Sequence, residues 1–269
     1  SDKFNKFGKV VNKSGQETER TSKKMKSAAR AVGGLAGAYA ALGAGQKAID
    51  FMKSAVAEAR ESEKVNKLTA QTIKTTGGAA KVTATEIGSL ATAISNKTAV
   101  DDEAVQSGSN LLLTFKNVRN EAGKGNKIFD RATAAAVDLS ASGFGSISSS
   151  SKMLGKALND PLKGISALSR AGVTFTDSQK AQIAALVATG DTAKAQALIM
   201  NEVESQVGGS AAAQATSAEK LTTSWSNFKE EIGTGMLPML DDLANKGIQV
   251  TNWARANPTA VYGLAVAFG

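Results

Sequence analysis

Leu154–Thr176 reads LGKALNDPLKGISALSRAGVTFT. Its dense Asn, Asp, Pro, Gly, Ser and Thr allow two readings, a catalytic loop or the corners between short helices. The spacing favours corners. Met153, Leu154, Ala157 and Leu158 recur at helical intervals and predict one apolar helix face. Asn159 or Asp160 then caps the next helix, because a short side-chain oxygen there accepts from an otherwise unpaired amide. Pro161 follows at the first helical position, where its fixed φ helps and its missing N–H costs nothing. Leu162, Ile165 and Leu168 are expected to face inward, and Gly172 to end the helix. Thr176 stands three residues before Gln179, the spacing of a capping box.

The same grammar extends downstream and upstream. Ile183, Leu186 and Val187 give the helix after Thr176 its apolar face, and Gly190 ends it. Asp191 or Thr192 opens another, which stops at Gly208-Gly209. Upstream, Thr75–Ala80 (TTGGAA) is a break, and Ile87, Leu90, Ala91 and Ile94 form a helical stripe. Asp101 or Asp102 caps a helix whose Val105, Leu112 and Phe115 point inward. A further helix carries Ile128, Phe129, Ala132, Ala136 and Leu139. No alternating strand pattern stands out, so the expected fold is all-α. It begins with a long helix or helical hairpin near residues 16–72, where Ile49, Met52, Val56 and Ala59 recur at helical spacing. A series of short capped helices follows.

Composition bounds the chemistry. The 269 residues contain no Cys and no His. Disulfides, thiolate zinc sites and every triad built on imidazole are therefore excluded. The cluster Asp101, Asp102, Glu103 reads as first-turn carboxylates that complement the helix dipole rather than as a metal site. Gly123-Lys124-Gly125 lacks the spacing of a phosphate loop, and Ser149-x-x-Lys152 lacks the companion motifs of an acyl-enzyme. No catalytic, cofactor-binding or metal-binding residue is expected, and no enzyme activity. The net charge of +8 is concentrated at the start, where residues 1–30 hold nine Lys/Arg against three acidic residues. That pattern suits a solvated arm, or weak contact with DNA or an anionic membrane.

Two stretches suit helix packing. Gly33, Gly37, Ala41 and Gly45 recur every four residues inside the uncharged run Ala31–Gln46. Such a small-residue face admits a close neighbour, either in an oligomer or in a membrane. Leu221, Trp225, Phe228 and Ile232 follow 4-3-4 spacing, a seam for partner helices. The last stretch is increasingly apolar and is expected to be segmented by its two prolines. It ends as the start of a longer apolar segment, as if the chain were part of a larger protein. The expected organisation is a basic arm with a Gly/Ala-rich helix (1–76), a multi-helix region (77–209), and an amphipathic helix leading into that truncated apolar segment (210–269).

Four blocks resemble, in order, the tape measure proteins of tailed bacteriophages. They are NLLLTFKNVRNEAGKGNKIFDRATAAAVDLSA, LGKALNDPLKGISALSRAGVTFTDSQKAQIAALVATGD, AQALIMNEVESQVGGSAAAQATSAEKL and GTGMLPML. The resemblance covers roughly Ala99 to Leu243. It implies an elongated, helical virion structural protein, associated with itself in a trimer or similar bundle inside the tail tube. Tail tube and tail tip proteins and the tail assembly chaperones are the implied partners. Tail assembly in the host cytoplasm, tail length, and release during genome ejection, with contact to the host membrane, are the implied roles. From the residues alone, a membrane-inserting, pore-forming helical protein is the competing reading, with Ala31–Gln46 and Ala260–Gly269 as inserting elements.

Overall fold

The computed structural model describes residues 45–256 apart from Ala122 and Lys124. The helices of the described residues are α1 (Gly45–Thr75), α2 (Ala84–Thr98), α3 (Asp102–Leu112), α4 (Ile128–Ala141), α5 (Ile147–Asn159), α6 (Pro161–Ala171), α7 (Asp177–Ala188), α8 (Thr192–Val207), α9 (Ser210–Gln214) and α10 (Ser217–Ala256). There is no strand among them, only an isolated bridge between Asn120 and Lys127. The fold of the described residues is all-α.

Local chemistry sets the helix boundaries. Asp160 ends α5 and starts α6 at once: its amide donates to the Lys156 carbonyl, and its carboxylate accepts from the Lys163 amide. Pro161 is the first residue of α6, and Gly172 ends it in the left-handed region at φ 116°. At the start of α7, Thr176 and Gln179 form a complete capping box, as do Thr83 and Glu86 for α2. Asp101, not Asp102, caps α3 by accepting from the Ala104 amide at 3.0 Å.

The helix opening at Ile128 is capped from a distance. Its own N-cap residue, Lys127, makes no side-chain cap. Instead the Asn120 carboxamide oxygen accepts from the amides of Phe129 and Asp130, and its NH2 donates to the Asp130 carboxylate.

Two compact units divide the chain. One spans residues 61–226; the described residues of the other are 45–60 and 227–256. In the 61–226 unit, α5 packs against α3, α4 and α6, and α8 packs against α4, α6 and α7. Phe129, Leu112, Leu139, Leu154, Leu158 and Leu168 fill its core together with Ile183, Ile199 and Met200. Bulky aliphatic side chains thus replace the aromatic bulk that the composition lacks.

Two expectations need correction. Leu162 is 47% exposed, although its spacing placed it inward. The buried face of α6 is instead Pro161, Gly164, Ile165 and Leu168. A Cβ at Gly164 would lie 2.0 Å from the Ala157 Cα, so α6 turns its glycine toward α5 and the two backbones nearly touch. The second concerns Pro238, which does not segment the C-terminal region. It lies inside the 40-residue α10, where its missing N–H removes one hydrogen bond without ending the helix.

Candidate helix-packing surfaces

Within the unit that holds residues 45–60 and 227–256, α1 meets α10 through small residues. Ala55 and Ala59 are buried, one turn apart on α1. A Cβ at Gly233 would lie 1.9 Å from the Ala55 carbonyl oxygen and 2.8 Å from the Ala59 methyl group. Only a glycine allows this approach. Beside it, the Lys229 ammonium donates to Glu58 at 2.8 Å and to the Ser54 hydroxyl at 3.2 Å. Of the apolar stripe expected on α1, Ala59 is buried while Met52 and Val56 are only half-buried, and Ala55, outside that stripe, takes the inside with Ala59.

The 4-3-4 stripe on α10 is not uniform. Leu221 is 72% exposed, Trp225 54% and Phe228 41%, whereas Ile232 is buried at 6%. Gly45 is the first residue of α1. Gly33, Gly37 and Ala41 lie outside the described residues, as do the basic arm and the apolar run at 260–269. Among the described residues no helix is long and apolar enough to cross a membrane.

The polar residues that invite a catalytic reading have partners. Ser149 of the Ser-x-x-Lys match sits in the first turn of α5. Its amide donates to the Ser146 hydroxyl, and its own hydroxyl donates to the Ser146 carbonyl. Asp101, Asp102 and Glu103 bring carboxylate oxygens within 4.8 Å of one another. Two have evident duties, the Asp101 cap and a bond that Asp102 accepts from the Thr92 hydroxyl at 3.3 Å.

A cleft of about 260 Å3 is lined by Asn117, Arg119, Glu121, Asp191 and Gln196 among others. Arg119 and Lys81 both pair with Glu121, and the Lys81 hydrogen bond holds the Glu121 carboxyl below its ordinary range. Lys194 does the same for Asp191. The Gln196 NH2 donates to the carbonyls of Asn117 and Leu158. A depressed carboxylate stays ionised and is a poor proton acceptor near neutral pH. Each charged side chain lining the cleft is thus paired with an opposite charge of the protein, Arg119 with Glu121 and Asp191 with Lys194.

Sequence reasoning missed the long-range polar locks. Arg131 on α4 pairs with Glu204 and Asn201 on α8, and with the Gly125 carbonyl. Asp138 accepts from the amides of Gly209 and Ala211 and so caps α9 from α4. Gln206 bonds both backbone groups of Thr174, and Gln179 reaches Glu202. Their partners stand up to 73 residues apart, so no local spacing announces them. No protein-family model matches the chain, nor does any curated protein or solved structure.

Proposed function

We propose that the chain is a structural segment of a bacteriophage tail tape measure protein, acting by occupancy and scaffolding rather than by catalysis. The observation that carries this reading is the ordered run of four sequence blocks between Ala99 and Leu243 that resembles that family. The architecture is in keeping with it. A helix advances about 1.5 Å per residue, and α1 and α10 run 31 and 40 residues. The conspicuous polar residues serve caps and inter-helix locks, which is what a scaffold needs and a catalyst does not.

In this reading the protein resides in the tail lumen, in contact with tube and tip proteins and with further copies of itself. Assembly chaperones accompany it in the host cytoplasm, and it leaves during genome ejection, when it meets the host membrane. The exposed Leu221 and Trp225 offer apolar area for a neighbouring helix. The test is mass spectrometry of purified particles. Peptides of this chain are expected in intact tails and are expected to be depleted after ejection. Their absence from intact tails overturns the reading.

A further inference from the structure

Polar burial in the 61–226 unit is divided unevenly. On α4, α7 and α8 the bridging polar groups meet: Arg131 with Glu204, Gln179 with Glu202, and Asp138 with two amides of the α8–α9 corner. On α2, α3 and α5 some pair, as Thr92 does with Asp102 and Ser109 with Thr133, but several do not. The Ser95 hydroxyl, both amide atoms of Asn110, and the hydroxyls of Ser150 and Ser151 are buried without a partner among the protein's polar groups. These three helices form one layer, since α3 packs against both α2 and α5.

The weakness has a centre. Gln106–Asn110 (QSGSN) is the middle of α3, and those five residues include no apolar side chain. Ser, Asn and especially Gly are poor helix formers, because they compete for backbone hydrogen bonds or leave the backbone too free. Gly108 lies against Ile147 and Ser151 of α5, and the Gln106 amide reaches Asn66 and Thr69 on α1. The apolar anchors of the helix lie toward its ends, Val105 on one side and Leu112 and Leu113 on the other, with the Asp101 cap at its start.

We infer that the middle turn of α3 is the built-in opening point of the 61–226 unit, unwinding before the α4–α8 pair separates. Opening hydrates Asn110, Ser150 and Ser151, whose burial disfavours the closed state, whereas parting α4 from α8 breaks the Arg131–Glu204 ion pair and the bond to Asn201. The inference stands on the placement of these groups and does not depend on the tape measure reading.

Native-state hydrogen exchange on the full chain tests it. Amides of Ser109–Leu112 are expected to exchange at least about tenfold faster than those of Ile199–Val203, through an opening short of global unfolding. Asn110→Leu, which keeps the branching and heavy-atom count and removes the unpaired amide, is expected to slow α3 exchange about tenfold and leave α8 unchanged. Ser150→Ala removes a hydroxyl without adding volume and is expected to act in the same direction. Protection of α3 equal to that of α8 overturns the inference. So does faster α3 exchange in Ser150→Ala, which would mean that the hydroxyl is satisfied in the closed state.

Discussion

Arg131 and Glu204 meet face to face across α4 and α8. Nε donates to Oε1 and Nη2 to Oε2, each at 2.7 Å. The same guanidinium also donates to Asn201 and to the Gly125 carbonyl, so one side chain fastens two helices and a loop. Arg131→Lys keeps the charge but cannot reproduce the fork. It is expected to lower unfolding free energy by about 1–2 kcal/mol, read as a lower urea midpoint at unchanged slope. An unchanged midpoint would mean that the fork contributes nothing beyond its charge.

Asp138 caps α9 from outside. Asp138→Ala leaves the amides of Gly209 and Ala211 without their acceptor, at a cost of about 1 kcal/mol. Limited proteolysis is expected to gain a cut near residues 209–217. Asp138→Asn, with one acceptor oxygen in place of two, should fall between the wild type and Ala.

Two glycines separate close packing from backbone freedom. A Cβ at Gly164 collides with Ala157, while one at Gly88 in α2 meets nothing within 4 Å. Gly164→Ala must push α6 off α5, and a loss of about 2–3 kcal/mol or more is expected. Gly88→Ala should instead stabilise by about 0.5–1 kcal/mol, through the greater helix propensity of Ala. Thermal melts of the pair check the contrast, and the same sign in both would refute it.

The capping boxes make stability depend on pH. The Thr83 backbone hydrogen bond lowers the Glu86 pKa from its ordinary 4.5, and Thr216 does the same for Glu219. A folded-state pKa below the unfolded value means the stabilisation is complete above about pH 4.5. It disappears as pH falls through the folded value. Urea midpoints should therefore drop between pH 5 and pH 3. Glu86→Gln, which can still accept from the Thr83 amide but does not titrate, should show a shallower drop. An equal drop would assign the acid sensitivity to other carboxylates.

What was legible in the sequence was local. Asp160 with Pro161 and Thr176 with Gln179 act within three residues, so spacing alone reveals them. The inward faces of α2 and α4 were legible too, because apolar bulk at Ile87, Ile94, Phe129 and Leu139 leaves no rival face. Reading failed where backbone proximity outweighed bulk. Leu162 lost the inside to Gly164 because α5 lies too close for a larger residue, and on α1 Met52 and Val56 yielded to Ala55, beside the expected Ala59 and Gly233. Long-range pairs such as Arg131 and Glu204 carry no local pattern, since each looks like an ordinary solvated charge on its own helix. Pro238 read as a stop because a lost hydrogen bond is visible in sequence, whereas the packing that compensates for it is not.

The central claim is that the chain measures and scaffolds a phage tail. Its most direct test is the length of tails assembled with in-frame duplications or deletions of whole helical segments in the gene encoding this chain. Electron micrographs should show tail length changing in proportion, by about 150 Å for each 100 residues of helix added or removed. Tails of unchanged length would contradict the account.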